Sequence, residues 1–169
     1  MPRELLILRH GKSDWSAETD DYNRPLKKRG KKGAQLIAGW LNDQALIPDH
    51  VVSSPATRAI DTARRVLTAL DMDTRDIHAD ERIYEASLEE LLGVLADCPP
   101  EAGRVLIVGH NPGLEDLLLH LVPTPPMQPE DGKLLPTATL ACLTMPDDWK
   151  TLTQGSAGLL HLIRPASLQ

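Results

Sequence analysis

Apolar positions in this chain form short continuous runs, which alternate with longer stretches where apolar residues recur at helical spacing. A short continuous run is typical of a strand that is buried on both faces of a sheet. We predict strands at residues 4–9, 49–54 and 104–110, a short extended segment at 76–85, and two closing strands at 137–145 and 157–165.

Four segments between these runs carry the spacing of an amphipathic helix. They cover residues 24–44, 56–70, 87–98 and 111–122. Strands that alternate with helices predict an α/β fold, here a three-layer α/β/α sandwich around a mostly parallel central sheet. Because no internal repeat or interdomain linker is visible, we predict a single domain over residues 1–169.

Polar side chains follow three of the predicted strands at the point where each strand ends. Arg9, His10 and Gly11 close the first strand, Arg58 lies in the first turn of the helix after the second, and His110 closes the run RVLIVGH. Binding sites in parallel sheets form at the carboxyl ends of the strands. We therefore expect these residues to converge at one edge of the sheet.

Two imidazoles and two guanidiniums in one cleft predict an anionic ligand. The planar fork of arginine matches phosphate oxygens in a bidentate way. The helix after His110 would add backbone N–H groups at its N-terminus. Gly11 would let the backbone approach such a ligand closely.

Composition excludes several other classes of function. The net charge of −6 argues against a nucleic-acid surface, and the aromatic content of 3% disfavours base stacking. No apolar run reaches the roughly 20 residues that span a bilayer, and no signal peptide is visible. We expect a cytoplasmic protein with no nucleic-acid or membrane partner, and a monomer, since nothing indicates an obligate interface.

Three rival motifs are absent. The stretch HGKS lacks the earlier glycine of a phosphate-binding P-loop, because Leu6 stands at that position. Gln154 stands where a nucleophile elbow around GSAG needs its first glycine. The histidines lack the HExxH spacing of a zinc helix, and neighbouring arginines would repel a cation. We therefore expect neither a metal nor a cofactor.

The remaining histidines and the two cysteines have no such setting. We interpret His78, His120 and His161 as surface or core-edge residues, because none of them closes a strand at the predicted site. Cys98 and Cys142 lie far apart between apolar residues and match no metal or redox spacing, which predicts free buried thiols.

Three motifs together resemble the histidine phosphatase superfamily, which includes phosphoglycerate mutases and many phosphatases. They are LRHGKSDW at residues 8–15, SSPATRAIDTA at 53–63 and VGHNPG at 108–113. The stretches DYNRPLKKRG and LLHLIRP are most similar to the small SixA-type phosphohistidine phosphatase branch. The resemblance covers nearly the whole chain and implies a phosphoglycerate mutase-like fold.

The resemblance also implies catalytic roles. His10 matches the nucleophile that becomes transiently phosphorylated, while Arg9, Arg58 and His110 match the pocket that holds the phosphoryl oxygens. Glu85, in ERIYEAS, falls where many members of the superfamily keep a proton-donating carboxylate.

Several assignments stay open at this point. The acid is Glu85, the nearby Glu81, or no carboxylate at all, because the SixA-type branch does not dependably keep this position. Gly11, Ser13 and Arg24 are further candidates for contact with the phosphate.

Phosphoryl transfer needs positioning and positive charge around three oxygens, which two arginines and a protonated His110 would supply without a metal. His10 must be neutral on its attacking nitrogen, and we expect its other nitrogen to donate to a backbone carbonyl near Gly11. An ester substrate needs an acid for its leaving oxygen. Phosphohistidine leaves through a more basic nitrogen, so it tolerates a weak or absent acid.

Short loops at 12–23 and 123–133 predict an open, shallow pocket that admits a residue displayed on another protein. The basic run RPLKKRGKK would attract an acidic partner, and its charges oppose the dipole of the helix that it begins. The leading hypothesis is a metal-independent hydrolase that removes phosphate from phosphohistidine in proteins through a covalent intermediate on His10.

Two alternatives remain. The first is a phosphomonoesterase of the same fold that acts on small phosphorylated molecules and relies on Glu85. The second is a non-catalytic module that binds a phosphorylated ligand, which the retention of both histidines disfavours because binding needs no nucleophile. A mutase is disfavoured as well, because the chain is too short to shield a phosphoenzyme from water.

Overall fold

The computed structural model describes residues 3–123 and 134–169 of the chain. The helices are α1 (Lys28–Asp43), α2 (Thr57–Ala69), α3 (Leu88–Ala96) and α4 (Gly113–Leu121). The strands are β1 (Arg3–Arg9), β2 (His50–Ser53), β3 (Ile77–Ala79), β4 (Arg104–Gly109), β5 (Leu140–Met145) and β6 (Gly158–Ile163). The predicted loop at 123–133 lies outside the described residues except for its first residue.

The strands form one six-stranded sheet in the order β3-β2-β4-β1-β5-β6. Strands β1 to β4 are parallel to one another, as predicted. By contrast, β5 runs antiparallel to β1, and β6 runs antiparallel to β5. A parallel neighbour needs a crossover connection, usually through a helix. No helix lies between β5 and β6, so this part of the chain forms antiparallel pairs at the edge of the sheet.

Both faces of the sheet are covered, which gives the predicted three-layer α/β/α architecture. Along β1, Leu5 and Ile7 pack with the apolar faces of α3 and α4. Leu6 and Leu8 point to the opposite face and pack with α1 and α2. All four leucine and isoleucine side chains are fully buried, which explains why this strand is a continuous apolar run rather than an alternating one.

Parallel pairing brings the carboxyl ends of β1, β2 and β4 to one edge. Arg9 pairs with Gly109 across β1 and β4. The residues that follow continue this alignment, since His10 N donates to Gly109 O (3.0 Å) and Ser54 N donates to Val108 O (2.9 Å). The predicted convergence of these strand ends is therefore confirmed.

The two largest differences from the expected element boundaries concern α1 and β3. The helix predicted over 24–44 begins only at Lys28, because Leu26 is buried in an antiparallel bridge with Ser13 and the chain is extended up to Lys27. The extended segment predicted over 76–85 is only the three-residue β3, with short 3₁₀ turns before and after it. Asp73 and Asp80 initiate these turns by accepting hydrogen bonds from backbone N–H groups two residues on.

Two further expectations concern membranes and thiols. Within the described part of the chain, no helix combines the length and the apolar character that crossing a membrane requires. Cys98 and Cys142 are free and buried, as predicted.

The loop after β1 lies directly against the start of α1 through two glycines. A Cβ atom on Gly11 would lie 2.6 Å from Gly30 O, and one on Gly30 would lie 2.2 Å from Lys12 O. Both values are far shorter than any normal contact, and the atoms that would be struck belong to the backbone. Glycine at both positions therefore lets the loop carrying His10 pack on α1.

We expect Gly30→Ala to destabilise the protein by about 3 kcal/mol, because the added methyl group forces the backbone of Lys12 away. Gly39→Ala is the matched control in the same helix, where a Cβ would meet nothing within 4 Å. That control should gain about 0.5–1 kcal/mol from helix propensity. Chemical denaturation measures both values, and equal stability of the two variants would contradict the packing argument.

Candidate active site

His10 directly follows β1 and is only 6% exposed. Its Nδ1 lies 2.7 Å from Gly11 O. A carbonyl oxygen only accepts, so the proton resides on Nδ1 and the lone pair on Nε2. Burial lowers the pKa of His10 to about 3, and the ring is therefore neutral at pH 7. The predicted hydrogen bond to a carbonyl near Gly11 is present, and it leaves Nε2 as a nucleophilic nitrogen.

His110 lies beside His10, with the two ring centroids 5.1 Å apart. Its Nε2 shares a hydrogen bond of 2.8 Å with Ser54 Oγ, while its buried Nδ1 bonds to no described residue. Burial, followed by the positive charge of Arg58, lowers the pKa of His110 to about 4. In the ligand-free site, the low-dielectric environment and the nearby guanidinium favour the neutral ring. The prediction of a protonated His110 concerns the site with a phosphoryl group bound.

Two guanidinium groups approach the histidines from different elements. Arg58, in the first turn of α2, is 6% exposed and donates from Nη1 and Nη2 to the backbone oxygen and Oδ2 of Asp21, at 2.6 and 3.1 Å. Arg9, at the end of β1, donates from Nη1 to Leu135 O at 3.1 Å. The Nε atoms of both arginines are buried and bond to no described residue. Buried donors of this kind normally have partners, so the site is suited to an anionic ligand.

Asp21 is a site residue that the sequence analysis missed. Its carboxylate accepts hydrogen bonds from Tyr84 (2.6 Å), Arg24 (2.8 Å) and Arg58 (3.1 Å). The hydrogen bond from Tyr84, followed by those from the two arginines, lowers the pKa of Asp21 to about 2. The only signal in the sequence was that Asp21 begins the stretch DYNRPL. Because carboxylates are common in loops, this signal alone does not predict a site residue.

Tyr84 completes the wall beside His110. The two rings meet edge to face with centroids 5.5 Å apart, and Tyr22 packs edge to face on the other side of Tyr84 at 5.1 Å. The hydrogen bond to Asp21 raises the pKa of Tyr84 to about 12. Tyr84 thus stays protonated at neutral pH and donates to Asp21.

A cavity of about 400 Å³ lies against Arg58, Tyr84 and His110. His10 and Arg9 are not among its described lining residues. It is lined by Asp21, Arg58, Tyr84, Glu85, Ala86, His110, Asn111, Pro112 and Gly113. Of the two carboxylates weighed as the acid, Glu85 lines this cavity and Glu81 does not, since Glu81 accepts a hydrogen bond from Tyr22 at 3.3 Å. Glu85 also has a φ of +53°, a strained conformation of the kind found at functional sites.

The remaining candidates have supporting contacts in this structure. Ser13 Oγ accepts a hydrogen bond from Arg24 Nε at 3.0 Å, so its hydroxyl orients Arg24. Arg24 is itself buried and shares Asp21 with Arg58. The N–H of Gly11 donates to Thr62 Oγ1 at 3.0 Å, and its Cα faces Gly30. Contact with α1 is by itself a sufficient reason for glycine at this position, and the contact of Gly11 with a phosphate stays a prediction.

The other histidines lie away from this cluster. His78 stacks on His50 at 4.7 Å, His120 Nε2 bonds to Leu152 O at 3.1 Å, and His161 packs on Trp40. Within residues 3–123 and 134–169, no three His, Cys, Asp or Glu side chains are placed to hold a metal ion. The chemistry available at the site is that of a neutral imidazole nucleophile beside two guanidiniums.

Comparisons with known proteins point in the same direction. The histidine phosphatase superfamily (branch 1) is matched by residues 5–101. A 2,3-bisphosphoglycerate-dependent phosphoglycerate mutase of Streptomyces avermitilis is 35% identical over 95 residues, which span 54% of this chain and 38% of the mutase.

Solved structures extend the similarity to nearly the whole chain. A structure of the protein histidine phosphatase SixA complexed with tungstate superposes with a TM-score of 0.81 at 25% identity, covering 98% of this chain and 99% of the other. A putative phosphohistidine phosphatase SixA from Agrobacterium tumefaciens gives a TM-score of 0.78 at 28% identity, with the same coverage. The phosphoglycerate mutase-like α/β fold is thereby confirmed.

We predict that stability falls as the pH is lowered from 7 to 5. His10 and His110 stay neutral in the folded state because their pKa values are lowered to about 3 and about 4, whereas the unfolded chain takes up these protons near pH 6.5. Each histidine thus contributes stability that is complete above pH 6.5 and is lost as the pH falls towards the folded pKa. The loss between pH 7 and 5 is about 2 kcal/mol for each.

Chemical denaturation at the two pH values, on wild type and His10→Asn, measures this loss. The variant should lose about 2 kcal/mol less than wild type, since one of the two protonation sites is gone. His161→Asn, at an exposed position of β6, is the control and should keep the wild-type loss. An unchanged pH dependence in His10→Asn would show that His10 is not held neutral by the fold.

Proposed function

Because this chain belongs to the histidine phosphatase superfamily (branch 1), we propose that it removes phosphate from phosphohistidine in proteins through a covalent intermediate on His10. The coarser conclusion, a phosphatase, is supported by the family and by the structural similarity to SixA phosphatases. The observation that carries the proposed covalent intermediate is the buried neutral His10. Its Nδ1 is bonded to Gly11 O, while Nε2 keeps its lone pair beside His110.

In the first step, His10 Nε2 attacks phosphorus, and the bond between phosphorus and the substrate nitrogen breaks. The electron pair of that bond goes to the departing imidazole, which leaves with a proton on its other nitrogen or takes one from water. Arg9 and Arg58 donate from their unpartnered Nε atoms to the phosphoryl oxygens. Fixed donors of this kind stabilise the charge of the transition state.

His110 contributes a further donor or charge in this step. Its Nδ1 bonds to no described residue, and the negative charge of a phosphoryl group would raise its pKa again. The ring therefore gains a proton when the ligand arrives. In the second step, water attacks the phosphorus on His10, which releases inorganic phosphate and restores the neutral imidazole.

Two observations support a protein substrate, one from the surface near the site and one from the similar structures. Trp15 is 78% exposed and stacks on Arg24, whose Cζ lies 3.6 Å from the ring centroid. Tryptophan is enriched at protein interfaces, and the indole of Trp15 is open to solvent. The SixA structures, which cover 98% of this chain, are described as a protein histidine phosphatase and a putative phosphohistidine phosphatase.

One observation favours a second candidate, a phosphomonoesterase for small molecules. Glu85 lines the cavity together with Arg58 and His110, where a carboxyl group would protonate the leaving oxygen of an ester. A non-catalytic binding module has less support, because a neutral buried nucleophile is not needed for binding. The similarity to a mutase covers only 38% of that protein, and this chain has fewer segments with which to enclose the site.

His10→Ala should abolish turnover. We expect kcat/KM to fall by at least about 10³-fold, because the nucleophile of both steps is lost. The assay is phosphate release in EDTA from a phosphohistidine peptide and from a simple phosphate ester, with circular dichroism to verify folding. His161→Ala is the matched control and should retain activity. Turnover that survives in His10→Ala, or no turnover in wild type, would overturn the proposal.

Glu85→Gln distinguishes the two candidate substrates. We expect ester hydrolysis to fall by about 10²-fold, since the acid for the leaving oxygen is lost, while the phosphohistidine peptide is affected less than about twofold. Glu81→Gln, which removes a carboxylate outside the cavity, should change neither rate. Wild-type preference for the ester, with equal losses on both substrates in Glu85→Gln, would favour the small-molecule phosphomonoesterase.

A further inference from the structure

A second cavity of about 440 Å³ lies next to the loop after β1. We call it the basic groove and define it by Lys12, Arg29, Lys32, Pro136, Arg164 and Pro165, which lie on its wall. Of the thirteen described residues that line the groove, four are cationic and none is Asp or Glu. This concentration of positive charge is unusual in a chain whose net charge is −6.

Three of the four cations of the groove have no evident structural role within the described part of the chain. Across residues 3–123 and 134–169, the side chains of Lys12, Arg29 and Lys32 form no ion pair. Arg29 and Lys32 lie near the N-terminus of α1. The first turn of this helix contains no acidic residue. Cations at this end of a helix oppose its dipole and destabilise it. Because the charges of Lys12, Arg29 and Lys32 are not paired with any described acidic residue, they point to an external anion.

The groove adjoins the segment that carries the nucleophile. Its wall includes Ala138, whose N–H donates to Arg9 O at 3.1 Å and to His10 O at 2.9 Å. Lys12 follows His10 by two residues. The groove and the active-site cavity share no lining residue, so they are separate surfaces.

We propose that the basic groove docks an acidic segment of the polypeptide that presents its phosphohistidine to His10. This proposal rests on the proposed function. The groove combines cations with the carbon surface of Pro136, Ala138 and Pro165, which suits a chain that offers both carboxylates and aliphatic atoms. A complementary charge pattern of this kind fixes the orientation of a partner and raises its association rate.

Binding tests the groove without any catalysis. The probes are a fluorescein-labelled ten-residue peptide of alternating Glu and Ala, and the same peptide with Gln in place of Glu. Wild type should bind the Glu peptide more tightly than the Gln peptide, and Arg29→Glu/Lys32→Glu should weaken that binding by about tenfold. The control is Lys28→Glu/Lys31→Glu, which alters the charge equally in the same helix but outside the groove. It should weaken binding less than about twofold.

Three results would overturn the docking site. These are wild type that binds both peptides equally, equal losses in the two double variants, and displacement of the Glu peptide by an equimolar amount of inorganic phosphate. The last result would identify the groove as a site for a small anion instead.

Kinetics then separates the groove from the proposed function. With a phosphohistidine peptide flanked by Glu residues, Arg29→Glu/Lys32→Glu should raise KM by about tenfold with kcat unchanged, and p-nitrophenyl phosphate turnover should not change. A KM equal to that of wild type would overturn the docking role and leave the proposed function standing. Wild type that binds the Glu peptide in the groove but hydrolyses no phosphohistidine would instead overturn the proposed function.

Discussion

The hydrogen bond from His10 Nδ1 to Gly11 O is the interaction on which the site depends, because it decides which nitrogen of the ring keeps its lone pair. The carbonyl accepts in the right place only if the Gly11 backbone is held still. Contact with Gly30 holds it from the side of α1, and its N–H is fixed by Thr62 of α2. Thr62 in turn donates to Arg58 O at 2.7 Å. Helices α1 and α2, on one face of the sheet, therefore position both His10 and the guanidinium of Arg58.

The site around this bond contains more positive charge than negative charge, because one carboxylate is shared by two arginines. Arg24 and Arg58 share the carboxylate of Asp21, so their positive charges are held in place at a modest cost in repulsion. Burial keeps both histidines uncharged. The buried Nε atoms of Arg9 and Arg58 remain without a partner among the described residues. The fold thus keeps two guanidinium donors available to an anionic ligand.

The site residues that lie at the ends of regular strands and helices were predictable from the sequence, because the spacing of apolar residues locates those ends. Arg9, His10 and His110 are found at strand ends because apolar runs stop there. Asp21 was not predictable, since its role arises from a loop that folds back onto Arg58. The neutral state of His110 in the ligand-free site could not be predicted either, because it results from burial and from the nearby charge of Arg58, which only the fold establishes. The late start of α1 depends on a single bridge between Ser13 and Leu26, which no periodicity reveals.

The stacking of Arg24 on Trp15 gives the molecule an optical property. Of the three tryptophans, Trp149 is buried and Trp40 is half-buried, while Trp15 is exposed and touches a guanidinium that shares Asp21 with Arg58. Indole emission responds to nearby charge and to water. Any anion that draws Arg24 towards the cavity changes the surroundings of one solvent-facing indole, so the chain carries its own fluorescent indicator of occupancy.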